Sequence, residues 1–86
     1  MNDLIDGLSL VEGRLYKLVE AGKHSTPWVG MIFSVDSTIH TGHVNISVYH
    51  NPASGDMWKV SHWFLYRLDK YIPLSDEEAL LYKMGE

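Results

Sequence analysis

The sequence predicts a mainly β, α+β domain: a small antiparallel sheet or barrel followed by a C-terminal helix. Two observations carry this. The run "WVGMIFSVDSTIHTGHVNISVYH", Trp28 to His50, alternates apolar and polar residues on both sides of Thr41 and Gly42, the period of a half-buried hairpin. The run "PLSDEEALLYKMGE" at the C-terminus instead carries helix start and stop signals, so the period changes within one short chain.

In the hairpin, a two-residue turn at Thr41 and Gly42 sets Ile39 opposite Val44 and Val35 opposite Val48. Val29, Met31, Phe33, Val35, Ile39, Val44, Ile46 and Val48 then share one face. Ser34, Asp36, Thr38, His40, His43, Asn45, Ser47 and Tyr49 share the other. After the turn residues Pro52, Gly55 and Asp56, a third strand brings Trp58 and Val60 to the apolar face, and a turn follows at Ser61. The helix starts at Ser75 as N-cap, with Glu78 completing a capping box, acidic Asp76 and Glu77 in the first turn and Lys83 in the last. Its apolar residues Leu80, Leu81 and Met84 are expected to cover the open side of the sheet.

The segment over residues 10–21, "LVEGRLYKLVEA", has two readings. As a helix packed on a three-stranded sheet it uses Ser9 and Glu12 as a capping box and puts Val11, Leu15, Leu18 and Val19 at helical spacing, with Gly13 costing about 1 kcal/mol. As a strand it starts at Gly13 and alternates Arg14, Tyr16 and Leu18 with Leu15, Lys17 and Val19. The whole is a single domain over residues 1–86: an N-terminal extension 1–12, a β core 13–74 and a C-terminal helix 75–85.

The order of "GRLYKLV", the loop "EAGKHSTPW", the hairpin, and "WKV" running through "SHWF" into "LYRL" resembles a Src-homology-3-like small β-barrel, and this resemblance favours the strand reading. It departs from the peptide-binding members, which are similar in order but open the strand after the second loop with Trp and the final turn with Pro, where this chain has His43 and Ser61. The resemblance therefore implies a barrel and no polyproline site. In general type the chain also resembles small cytoplasmic accessory proteins encoded by bacteriophages.

Composition narrows the function classes. With 45% apolar and 21% charged residues over 86 positions, the chain has the balance of one globular domain. It has no Cys, hence no disulfide and no thiolate ligand, which suits a reducing compartment. No apolar run approaches the ~18 residues that span a bilayer, and Asp3 and Asp6 stand where a secretory leader would be basic. The expectation is a cytoplasmic protein with no membrane partner. A net charge of −4 with seven Lys and Arg makes nucleic acid a less favoured partner than protein.

Sites of chemistry are few. Ser34, Ser37, Ser47, Ser54 and Ser61 sit in no nucleophile elbow, and no phosphate-binding loop occurs. His40 and His43 are the candidate metal ligands: across the turn their Cβ atoms lie about 4.5–5.5 Å apart. Asp36 is the nearest third ligand and no Cys or Glu completes the set, so exposed loop histidines are expected and no metal or cofactor. Neither catalysis nor a cofactor is expected of this chain.

The richest stretch is "VSHWFLYRLDKYIPLS", Val60 to Ser75. As a helix it turns Phe64, Leu68 and Tyr71 inward and leaves Trp63, Tyr66, Arg67 and Lys70 outward. As a turn and strand it puts Phe64, Tyr66 and Leu68 on one face and Trp63, Leu65 and Arg67 on the other. Phe64 and Leu68 are expected in the core, and Trp63 and Arg67 form a cation–π pair in both readings. Either all these rings close the sheet beneath the helix, or Trp63, Tyr66, Arg67 and Lys70 form a partner-binding patch. Trp, Tyr and Arg dominate interface energetics, so the patch implies a non-enzymatic interaction module or inhibitor with a protein partner, a second copy of the chain included. The alternative is a single-stranded nucleic-acid-binding accessory protein, in which the rings stack on bases.

Overall fold

The alternating runs form β2 (Ile32–Ile39) and β3 (His43–His50), an antiparallel pair at the centre of a five-stranded sheet. In this computed structural model, which describes residues 4–39, 42–52, 59–66 and 68–84, β1 (Leu15–Glu20) and β5 (Lys70–Pro73) extend the sheet on one side and β4 (Lys59–Phe64) on the other. The order is β4-β3-β2-β1-β5, every pair antiparallel. A single α-helix among the described residues, α1 (Asp76–Met84), follows β5. The chain is therefore mainly β with one C-terminal helix, the class its sequence predicts.

Residues 10–21 contain a strand, and the reason they also read as a helix is visible in the packing. Tyr16 and Leu18 point into the main core, while Leu15 points to a smaller cluster on the opposite face with Ile32 and Leu74. A strand buried on both faces loses its simple alternation. Gly13, with φ +85°, makes the turn into β1, a left-handed conformation that glycine adopts without strain.

The main core is the apolar face of the hairpin: Met31, Phe33, Val35, Val44, Ile46 and Val48 are all buried, joined by Tyr16, Leu18 and Tyr71. Three details depart from expectation. Val29 is exposed, because the 3-10 turn Thr26–Trp28 and Gly30 (φ +102°) redirect the chain before β2 begins. Ile39 pairs with His43 and not with Val44, one place off the register expected of a two-residue turn. A further shift between Val35 and Ser37 makes Asp36 a bulge, so that Val35 pairs with Ile46 and not with Val48. On the polar face, the Ser47 hydroxyl donates to the Asp36 carboxylate (2.6 Å) and the Asn45 amide donates to Ser37 Oγ (2.9 Å). Trp58, Thr41 and His40 lie outside the described residues.

The N-terminal segment is part of the folded unit. Ile5 and Tyr71 exchange backbone hydrogen bonds of 2.8 Å in both directions, Leu10 is buried in the main core, and the Val11 N–H donates to the Tyr16 hydroxyl (2.8 Å). A Cβ on Gly7 would stand 2.8 Å from Leu65 Cβ. Only glycine allows this approach without displacing the segment or the loop.

The capping box forms as expected: the Glu78 N–H donates to Ser75 Oγ (3.2 Å) and the Ser75 N–H donates to Glu78 Oε1 (3.3 Å). The packing of α1 differs. Leu81 and Met84 are 71% and 73% exposed, Leu80 is exposed too, and Ala79 makes the contact with the cluster of Leu15, Ile32 and Leu74. Leu74 is buried and only Ser75 separates it from α1, so this short tether fixes the roll of the helix and turns the larger side chains away.

One buried polar pair bears on stability. The Tyr71 hydroxyl and the Trp63 indole N–H are buried without a hydrogen-bond partner. Burial pushes the Tyr71 phenol well above its ordinary 10.0, the nearby Trp63 N–H pulls it down somewhat, and Asp69 adds a smaller push upward. The two side chains are thus close enough to influence each other but outside hydrogen-bond geometry.

Two outcomes are expected. Gly7→Ala destabilises by about 1–3 kcal/mol through overpacking against Leu65, measured by urea denaturation. Because the folded phenol holds its proton more tightly than the unfolded one, stability is intact below pH ~10 and falls as pH rises above it. Tyr71→Phe flattens that alkaline limb and is neutral or stabilising by up to about 1 kcal/mol at pH 7, since it removes an unpaired buried hydroxyl.

Candidate interaction site

The site is built by a bulge in β4. Ile46 pairs with Val60 and Val44 with Trp63, so three steps along β4 match two along β3. His62 takes the strain at φ +61°, in the left-handed region where a non-glycine residue is uncommon, and its N–H donates to Asn45 Oδ1 (3.1 Å). The extra residue reverses the side-chain alternation beyond it. Val60 and Trp63 both pack on the core, and Phe64, which would otherwise have pointed inward, faces out at 44% exposure.

The alternation of the strand reading survives, with its faces exchanged. Trp63 and Leu65 pack against the core, whereas Phe64 and Leu68 (69% exposed) lie on the surface, contrary to the expectation that both are core residues. The expected turn at Ser61 is also absent. β4 runs through it to Phe64, and the chain turns afterwards, where the Asp69 N–H donates to Tyr66 O (3.1 Å). A bulge accommodates the break in pattern that otherwise reads as a strand end.

Three segments meet around Phe64. From β4 and the loop after it come Phe64 and Tyr66, with ring centroids 4.5 Å apart. The β1–β2 loop brings His24, stacked on Tyr66 at 4.9 Å and 15°, and from β3 comes His43, edge-on to Phe64 at 4.9 Å. The result is a continuous ridge of rings across separate parts of the chain. Beside it Trp28 meets Trp63 edge to face, centroids 5.8 Å apart, and a cleft of about 240 Å³ opens between them, lined by His24, Trp28, Trp63, Phe64 and Tyr66 among others.

The two loops that carry the ridge are fastened by Asp69. It is fully buried, accepts from the Ser25 hydroxyl (2.6 Å) and from the Gly22 N–H (3.1 Å), and so ties the β4–β5 loop to the β1–β2 loop.

Of the four patch residues expected from sequence, Tyr66 lies on the ridge. Trp63 is half-buried beneath it and belongs to the core side. Lys70 sits in β5 opposite Glu20 and does not line the cleft. Arg67, and with it the Trp63–Arg67 pair, lies outside the described residues. His24, Phe64, His62 and Leu68 were not among the expected patch residues. For metal, His40 lies outside the described residues, and among those described no three His, Asp or Glu side chains come close enough to hold an ion. Among the described residues, His43 and His62 approach each other, centroids 6.3 Å apart.

Core and ridge separate in mutation. Trp63→Ala is expected to cost on the order of 2–4 kcal/mol, as for truncation of a largely buried aromatic, while Phe64→Ala stays within about 1 kcal/mol of wild type, both read by chemical denaturation. No helix of the described residues is long and apolar enough to cross a membrane. No family model matches the chain, and no curated protein or solved structure matches it significantly.

Proposed function

We propose that this chain is a non-enzymatic interaction module, of the inhibitor or accessory type, that binds a protein partner through the ridge of His24, Tyr66, Phe64 and His43. The observation that carries the reading is a connected row of rings, with His24 and Phe64 exposed and Tyr66 and His43 half-buried, beside which Leu68 is exposed. A connected apolar patch of this kind marks contact with another molecule. Tyr is among the residues that supply most interface energy, and a rigid ring loses little conformational freedom on binding. The bulge and the Asp69 fastening hold the rings in place before any partner arrives, which lowers the ordering cost of association.

The strand order supports a Src-homology-3-like barrel as the scaffold, and the cysteine-free composition supports work in the cytoplasm. Protein is preferred to nucleic acid because the chain carries a net charge of −4, which opposes approach to phosphate. The test is a quantitative lysate capture comparing wild type with Phe64→Ala plus Tyr66→Ala, both checked for folding by circular dichroism. Loss of a defined set of partners, by tenfold or more, is expected. Identical partner sets overturn the reading, and tight binding of a single-stranded oligonucleotide that vanishes between 50 and about 200 mM salt replaces it with the nucleic-acid reading.

A further inference from the structure

Two apolar surfaces of this chain face solvent, and their charges match end to end. The first flanks the ridge. Tyr66 stands between two depressions, one of about 320 Å³ that holds Leu8, Phe64 and Leu65, the other of about 610 Å³ that holds Gly22, His24 and Leu68. Each carries one formal charge, Asp6 in the first and Lys23 in the second.

The second surface is α1. Ala79 seats the helix on Leu15, Ile32 and Leu74, while Leu80, Leu81 and Met84 are all more than half exposed. Residues three and four apart share a helix face, so Glu77 lies on the same stripe as Leu80 and Leu81, and Met84 continues it. The stripe thus begins on an acid and runs on through apolar side chains, and the last turn of the helix carries Lys83.

We propose that the ridge takes the α1 helix of a second copy of this chain. The inference rests on the reading of the ridge as a protein-binding face and names the protein that it binds. Charge sets the direction. Glu77 and its neighbour Asp76 approach Lys23, the apolar stripe lies across Tyr66 with side chains in both depressions, and the turn with Lys83 comes toward Asp6. The reversed direction sets acid against Asp6 and Lys83 against Lys23, which like-charge repulsion disfavours. An amphipathic helix laid on an apolar surface is a recurrent mode of protein recognition.

The helix does not serve its own ridge. Only Ser75 separates it from the buried Leu74, and the clefts that α1 lines, beside Glu12 and Gly13, share no residue with the two depressions. Each copy therefore offers one helix and one ridge that do not meet within it, and copies join head to tail. With nine residues, α1 is about 13 Å long, so one such contact belongs among small and transient interfaces.

The experiment follows the mass of the full chain by sedimentation equilibrium from about 10 μM to about 1 mM, the range of weak complexes. A mass that rises above the monomer with concentration is expected; a monomer throughout overturns the proposal. Leu81→Glu, on the helix, and Phe64→Ala plus Tyr66→Ala, on the ridge, should each be monomeric alone. Their equimolar mixture should form a two-chain complex, because one variant supplies an intact ridge and the other an intact helix. A mixture that stays monomeric, or association lost in only one of the two variants, overturns the head-to-tail contact. Should the ridge variant unfold, Leu68→Glu, at an exposed position in the larger depression, takes its place.

Lys23→Glu and Glu77→Lys should each weaken self-association about 2- to 10-fold, and the two together should recover most of it. The single changes move the net charge in opposite directions, so a general charge effect cannot weaken both. No recovery in the double variant overturns the assigned direction. A monomeric wild type with the lysate partner loss of the Phe64 and Tyr66 double variant intact removes this inference and leaves the interaction module standing. Rescue in the mixture with unchanged lysate partners confines the ridge to self-association and removes the inhibitor or accessory reading.

Discussion

The constraint on which the surface of this protein depends is a matter of parity. A strand exposes every second side chain, and the single extra residue at the β4 bulge decides which of two adjacent rings is inside. With it, Trp63 pairs across from Val44 and packs on the core, while Phe64 pairs across from His43 and faces out. The left-handed backbone of His62 is the cost of this arrangement, and the hydrogen bond to Asn45 holds it. Core and aromatic ridge are therefore set by one geometric decision.

A second constraint acts on the loops. Rings on separate loops make a surface only if the loops are held together, and here a buried carboxylate does this by accepting from a hydroxyl and a backbone N–H on the opposite loop. An apolar contact could bring the loops together, but hydrogen bonds fix direction as well as distance. The stack of His24 on Tyr66 and the close approach of Leu68 to Gly22, where a Cβ would lie 3.3 Å away, occur at that joint.

Much of the architecture was legible in the sequence because it follows from local rules. The hairpin core from Met31 to Val48 follows from alternation, and the start of α1 from the chemistry of Ser75 and Glu78. What was not legible depends on relations between distant segments. The bulge reverses Phe64 and Trp63 only because of how β4 aligns on β3, and nothing in "VSHWF" announces it beyond the interruption of alternation at Ser61 and His62. The roll of α1, which exposes Leu81 and Met84, depends on where Leu74 is buried. His24 was overlooked because its significance arises from Tyr66, 42 positions away (66 − 24). A local signal existed for the strand nature of residues 15–20, but burial of both faces blurred it.

The sheet order has a further consequence, for the time course of folding. β1 and β5 are neighbours although they lie at opposite ends of the β core, and the Asp69 bonds to Gly22 and Ser25 span 47 and 44 positions. The hairpin of β2 and β3 can close early and locally, whereas these contacts need most of the chain to be drawn together first. The ridge crosses that late closure, since His24 belongs to one of the joined segments and Tyr66 to the other. A nascent or truncated chain that has made only its central hairpin presents no ridge, and this surface exists only once folding is finished.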